Sequence, residues 1–225
     1  MFSCFCYQNN SIVINKGSSN GVNLELFDKS KIKKESIIEF KQKLGLNDNF
    51  IYGFVGRIVD RKGINELVVA FNELYQLDKK NRLLLVGPFE LNQIENKNLL
   101  NYIENHEGIL CVGRIMQNEV PNYLALMDIF VLPAWWEGFG NVLIQAASMQ
   151  IPVITTNATG TRDAVSPDFN GILVSIKDTA SLKKAMLKLK NDNDLRVKLG
   201  LNGLEWSKNF NSVDIWLGIN KLYIN

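Results

Sequence analysis

Two short stretches hold side chains suited to ligand binding and catalysis. Glu137-Gly138-Phe139-Gly140-Asn141 sets one acid and two glycines directly ahead of an apolar-periodic run. Gly56-Arg57-Ile58-Val59-Asp60-Arg61-Lys62-Gly63 sets three cations between two glycines. Each follows a strand-like run and leads into a helical one. That geometry leaves backbone N–H groups unpaired at a helix N-terminus, where an anion can sit. Arg57, Arg61 and Lys62 would add charge-assisted bonds to the dipole, a good clamp for a diphosphate. Glu137 would repel such an anion, so it must serve another part of the ligand, and sugar hydroxyls are the obvious candidate. A ligand that offers phosphates to amides and hydroxyls to a carboxylate is a nucleotide-sugar. Taken alone, the basic loop reads as a solvated surface. Its two glycines and its place beside the 137–145 stretch turn the reading toward a site.

Hydrophobic period sets the elements around these loops. Strands are expected at Ile51–Val55, Leu83–Val86, Ile109–Val112, Ile129–Leu132, Val153–Thr155 and Ile172–Val174. Helices are expected at 64–77, weakly near 93–104, and at 118–126, 141–149, 161–166, 178–190, 193–208 and 211–223. In the helix at 141–149, Val142, Ile144 or Gln145, and Ser148 or Met149 fall at helical spacing. Alternating strands and helices with short connections predict an α/β fold, a Rossmann-like doubly wound parallel sheet of about six strands. Ligands bind such sheets outside the carboxyl ends of the strands. The loops there are 56–63, 87–92, 113–118, 133–140 and 156–160.

A chain of 225 residues, 46% hydrophobic and 21% charged, can bury one sizeable core. A net charge of +2 with no basic-aromatic stripe gives no support for nucleic acid as a partner. No apolar run approaches the length needed to span a bilayer, and Met1–Tyr7 lacks the basic start and cleavage site of a signal peptide. Cys4, Cys6 and Cys111 make a poor disulfide framework. The expectation is a cytoplasmic protein with at most peripheral contact at the inner face of a membrane. The run Lys29–Lys43, holding Ile32, Ile37 and Phe40 and followed by Leu44, reads as a linker helix with a solvated basic face or as a membrane-surface helix.

From about Asn15 onward the chain resembles the carboxyl-terminal, donor-binding half of a GT-B glycosyltransferase of family 4, the retaining type that builds capsule, O-antigen and lipid-linked glycans. The matching blocks, in order, begin with Gly17-Ser-Ser-Asn-Gly-Val-Asn23 with Phe27, Phe54-Val-Gly-Arg57 with Lys62-Gly63, Leu84-Leu-Val-Gly87, and Val112-Gly-Arg114. They continue with Val120-Pro and Tyr123, Asp128-Ile-Phe-Val-Leu-Pro133, Glu137-Gly-Phe-Gly-Asn-Val-Leu-Ile-Gln145, Pro152-Val-Ile with Thr156, and Gly171-Ile-Leu-Val174. The order of many blocks makes the match specific, where any one alone is weak.

The resemblance implies catalytic roles for three residues. Arg57 and Lys62 would bind the donor diphosphate and stabilise the leaving nucleoside diphosphate, and Glu137 would hold hydroxyls of the transferred sugar. The amides of Gly138, Phe139 and Gly140 would lie close to sugar and phosphate, and Gly56 and Asn141 would also belong to the donor site. Gln145 would hold the ribose, and Arg114 and Ile115 would line the nucleobase pocket. No metal or other cofactor is implied; a UDP- or GDP-sugar is the substrate. Two departures stand out. Gln145 replaces a family Glu, which loses a charge-assisted bonus of about 1 kcal/mol, several-fold in donor affinity. The amino-terminal half that carries the acceptor site has no counterpart here, so a saccharide or lipid-linked acceptor would be reached through a missing or separate domain. The chain is then expected to be a fragment or one subunit of a split enzyme.

Three parts are expected: a remnant or inter-domain crossing at 1–27, the donor-binding domain at 28–205, and a tail at 206–225 that packs toward the absent domain. That tail carries Trp206, Phe210, Ile215, Trp216, Leu217 and Tyr223, and packing on the domain's own core is the other reading. A non-catalytic nucleotide-binding or interaction module on the same fold remains the alternative function. Among decoys, Asp192 reads as a helix N-cap rather than half of a metal-binding pair. His106 reads as a surface loop residue. Trp135 and Trp136 read either as rings that stack on a sugar or base or as residues that pack in the core or line the cleft.

Overall fold

A computed structural model describes residue 18 and residues 20–224. The described residues form six strands, β1 (Phe50–Val55), β2 (Asn81–Val86), β3 (Ile109–Gly113), β4 (Ile129–Leu132), β5 (Val153–Thr156) and β6 (Gly171–Val174). Every pairing is parallel, in the order β3-β2-β1-β4-β5-β6. This is the doubly wound arrangement expected from the sequence. Its strand order reverses between β1 and β4, and at such a switch point the two outgoing loops diverge and leave a crevice. Those loops are 56–63 and 133–140, the two that carry the candidate chemistry.

Helices cover both faces: α1 (Lys34–Lys43), α2 (Ile64–Leu77), α3 (Lys97–Asn105), α4 (Val120–Leu124), α5 (Asn141–Ser148), α6 (Thr161–Ala164), α7 (Thr179–Asn191), α8 (Asn193–Ser207) and α9 (Ser212–Ile224). The central strands are buried on both sides, with β4 and β5 covered along their whole length, and β4 reads as an unbroken apolar run. Helix α2 lays Leu67, Val68, Phe71 and Leu74 on the sheet. Several element ends differ from the expected ones by a few residues, for identifiable reasons. Strand β2 starts at Asn81 because its buried side-chain amide donates to Leu74 O at 2.7 Å. Helix α3 starts later than its apolar pattern because Asn96 Oδ1 accepts from the amides of Asn98 and Leu99. The expected helix at 118–126 is a 3₁₀ turn, Gln117–Glu119, followed by the short α4 with Pro121 in its first turn. In α5 the buried face is Leu143, Ile144, Ala146, Ala147 and Ser148, while Val142 and Gln145 stay half-exposed.

Ile32, Ile37, Phe40 and Leu44 pack partly against this domain's core, and Lys33, Lys34 and Lys43 are solvated. No helix among the described residues is long and apolar enough to cross a membrane.

The 1–27 and 206–225 segments meet: Val22 N donates to Phe210 O at 2.7 Å, and Ser212 N to Val22 O at 3.0 Å. Helix α8 runs straight through position 206, where Trp206 Nε1 donates to Ala164 O at 2.9 Å. Phe210 is fully buried between the rings of Phe139 and Trp206, and Ile215 is also buried. Among the described side chains of this tail, the outer face of α9 is left over: Val213, Trp216 and Leu217 are each more than half exposed. The Tyr223 side chain, Cys4 and Cys6 lie outside the described residues.

Candidate functional site

The loop after β1 is pinned to the sheet edge before it turns. Gly56 N donates to Val86 O at 2.8 Å and Ile58 N to Pro88 O at 2.9 Å. The 3₁₀ turn Asp60–Lys62 then aims its cations, and Gly63 closes it in the left-handed region at φ 71°. Across the switch point, Trp135 N donates to Arg61 O at 2.8 Å and Glu137 N to Thr159 O at 3.1 Å. Glu137 therefore sits where the loops after β1, β4 and β5 converge. Thr155 Oγ1 donates to Leu132 O at 2.6 Å, and Thr156 Oγ1 to Ala134 O, so the backbone leading into the 133–140 loop is tied to β5.

Lys62 Nζ contacts the Glu137 carboxylate, and the two side chains are only 13% and 12% exposed. The acid expected to hold a ligand's hydroxyls thus faces a cation when no ligand is bound. Burial, reinforced by Arg61 and then Arg57, pulls the Lys62 ammonium down to about 8. At about 8 the group is still mostly charged at neutral pH, and in that form it pairs with the Glu137 carboxylate. Arg57 is close enough to act on Lys62, yet its guanidinium bonds Glu90, with Nη1 at 3.1 and 3.0 Å from the two carboxylate oxygens. Nothing in the sequence around Glu90 marks it for this role. Arg61 stacks on the half-exposed Trp136, with Cζ 4.6 Å from the ring centroid.

Helix α5 enters through Gly140 at φ 76° with no side-chain cap, which leaves the amides of its first turn without a side-chain partner. Asn141 Oδ1 accepts from Ser18 Oγ at 3.2 Å, which brings the 1–27 segment to the site. Phe139 turns its ring inward onto Phe210, leaving its backbone at the rim. Gln145 makes no side-chain hydrogen bond with another described residue. Arg114 is exposed and Ile115 half-buried in the loop after β3, which is joined to its neighbour by Gly87 N donating to Gly113 O at 2.8 Å. Gly138, in the same loop as Glu137, has open space where a Cβ would be.

Sequence reasoning missed Glu66, although an acid on the apolar face of α2 is a visible signal. It is 7% exposed, Oε1 accepts from Trp135 Nε1 at 3.0 Å, and Oε2 has no hydrogen-bond partner among the described residues. Lys177 Nζ lies over the Trp135 ring, 3.8 Å from its centroid. Trp135 is therefore a strut between α2 and the acid-bearing loop. Trp135→Phe keeps an aromatic ring and removes the donor, leaving a buried carboxylate without a partner. The expected cost is about 1–3 kcal/mol of stability, read by chemical denaturation. An unchanged midpoint would show that the indole bond contributes nothing.

The decoys fall elsewhere. Asp192 caps α8, accepting from Leu195 N at 2.9 Å. His106 is not a plain surface residue: it is half-buried among Tyr75, Phe71 and Tyr102 at the amino end of β3, and burial lowers its pKa. Burial and Glu104 push the Cys111 thiol up to about 11, away from thiolate chemistry. No cluster of three or more His, Cys, Asp or Glu suited to a metal occurs among the described residues.

Comparison with known proteins gives the family. The model described as glycosyl transferases group 1 matches residues 36–206. The chain belongs to the group 1 glycosyl transferases. The capsular polysaccharide biosynthesis glycosyltransferase CapM of Staphylococcus aureus is 36% identical over 218 residues, 96% of this chain and 56% of that protein. The crystal structure of Anabaena HepE in complex with UDP and glucose superposes at a TM-score of 0.81 with 23% identity, over 91% of this chain and 55% of that one. The C-terminal domain of a group 1 glycosyl transferase (LpcC) from Francisella tularensis gives a TM-score of 0.73 with 24% identity, over 84% of this chain and 97% of that domain. The fold of this group 1 domain matches the GT-B, Rossmann-like glycosyltransferase structures. It spans about half the length of the curated relatives it matches.

Proposed function

We propose that this group 1 domain is the donor-binding half of a retaining, family 4 glycosyltransferase that moves a sugar from a UDP- or GDP-sugar to a saccharide or lipid-linked acceptor. The contact of Lys62 with Glu137 at the sheet's switch point, with Arg57 and Arg61 beside it, carries this reading. Dianionic pyrophosphate competes with Glu137 for Lys62 and displaces it. The freed carboxylate then accepts from sugar hydroxyls, and the amides at the start of α5 take the remaining phosphate oxygens. As the bond from sugar to diphosphate breaks, Lys62, joined by Arg57 on release from Glu90, lies against the charge that develops. These cations and the α5 dipole serve in place of a metal. The Francisella likeness supports placement as a C-terminal domain, and the CapM likeness supports a capsule-type acceptor. The acceptor wall belongs to a further domain, and the exposed Val213, Trp216 and Leu217 face of α9 is where it would rest.

Calorimetric titration with UDP, GDP and their sugars tests the site. Arg57→Ala should weaken nucleotide and nucleotide-sugar alike, whereas Glu137→Gln should weaken only the increment due to the sugar. Binding indifferent to both substitutions would remove the site from this crevice. A pH series adds a second check. Nucleotide needs the Lys62 ammonium, and the free group loses its proton near pH 8. Affinity should therefore be level below about pH 8 and fall above it, by at most about tenfold per pH unit for one linked proton. Lys62→Arg should flatten that fall, because guanidinium stays protonated throughout.

A further inference from the structure

Helices α2 and α3 leave between them a hollow of about 470 Å³, within the range of small-ligand sites. Its floor is apolar, built from Val68, the half-exposed Val69 and Leu99. Around that floor stand four amides: Asn65 and Asn72 from α2, Asn96 and Asn98 from the start of α3. Asn65 and Asn98 make no side-chain hydrogen bond with another described residue, so each offers both a donor and an acceptor. Tyr102 forms one wall, 40% exposed, its ring braced by His106 at a centroid distance of 5.2 Å. The charged lining residue, Glu73, is already paired with Lys183.

We infer that this groove is a second carbohydrate site, binding a neutral saccharide chain. Chemical complementarity selects that occupant. A sugar ring presents an apolar C–H face and an edge of hydroxyls that both donate and accept, and here an exposed aromatic ring and apolar floor are rimmed by groups that do the same. A phosphorylated or acidic ligand would find no free cation lining the groove, and a cationic one no free acid. Position supports the same occupant. Asn65 follows closely on the Lys62-Gly63 turn, so the groove opens at the sheet edge that carries the donor crevice and runs away from it along α2. A glycan held there would be kept beside the transfer site while its end is extended. This last role rests on the proposed function; binding itself does not.

The test titrates the full chain with maltotetraose, cellotetraose and chitotetraose, following backbone amide shifts, with UDP titrated in parallel. At least one tetrasaccharide should bind and shift amides of α2 and α3. Tyr102→Ala and the Asn65→Ala/Asn98→Ala pair should each weaken it about tenfold or more with UDP affinity unchanged. The asparagine pair guards against a Tyr102 variant that fails to fold. Absence of binding by all three sugars at about 20 mM would overturn the inference, as would binding indifferent to both variants. Capture of phosphatidylcholine vesicles through Tyr102 in place of sugars would overturn it too. Failure of UDP to bind the native chain would sink the donor crevice and leave this groove standing.

Discussion

Lys62→Met should lower UDP affinity about thirtyfold and also reduce thermal stability, and a second substitution should separate the two effects. The affinity loss follows from removing one charge-assisted bond to pyrophosphate, about 2 kcal/mol. The stability loss has a different origin. Glu137 is held at 12% side-chain exposure against Lys62, and without that ammonium its carboxylate keeps its desolvation cost with no compensating partner. About 2 kcal/mol of destabilisation is expected, which for a chain of this size lowers the melting temperature by about 4–8 °C. Adding Glu137→Gln to Lys62→Met removes the stranded charge. The double variant should melt close to the native protein while still binding UDP weakly. If its affinity recovered along with its melting temperature, Lys62 would be a structural partner of Glu137 and no phosphate ligand.

The same pair marks how far the sequence can be read. Strand order is not written in the sequence, yet alternating strand and helix patterns with short connections force a parallel sheet. The carboxyl-edge rule then places 56–63 and 133–140 at one rim. What period and composition do not show is pairing between side chains far apart in the chain. Glu137 is legible as an acid beside an anion site, but its contact with Lys62 depends on how two loops from β1 and β4 lean together. Glu90 is further from view, because its grip on Arg57 arises from the way the loop after β2 runs beside the loop after β1. Glu66 is within reach of sequence reasoning, since an acid among Leu67, Val68 and Phe71 on a buried face demands a partner. Its partner, Trp135, stands out in the sequence only as an aromatic ring. The carboxyl-terminal stretch shows the limit of hydropathy most plainly. Phe210 and Ile215 are buried in this domain, whereas Trp216 and Leu217 are exposed, and residue type alone ranks them alike.

Gly63→Ala is expected to be a severely damaging single-methyl change near the site. Gly63 sits at φ 71°, a left-handed conformation that costs an alanine about 1 kcal/mol. Steric overlap costs more. A Cβ at this position would collide with the carbonyl oxygen of Pro133, where the β4 loop leaves the sheet, and a backbone atom cannot swing aside as a side chain can. Relief requires moving the 56–63 loop away from the 133–140 loop, which strains the Trp135 N to Arg61 O bond at 2.8 Å and opens the Lys62–Glu137 contact. Together these effects cost about 3–4 kcal/mol, a fall in melting temperature of about 6–16 °C. Gly138→Ala is the control, because a Cβ there meets nothing within 4 Å. It should melt within about 2 °C of the native protein. Because Gly63→Ala acts on the distance between the loops, any folded protein that remains should bind UDP poorly even with every proposed ligand side chain intact. Wild-type UDP affinity in that variant would mean that the two loops do not need their observed separation to hold the nucleotide.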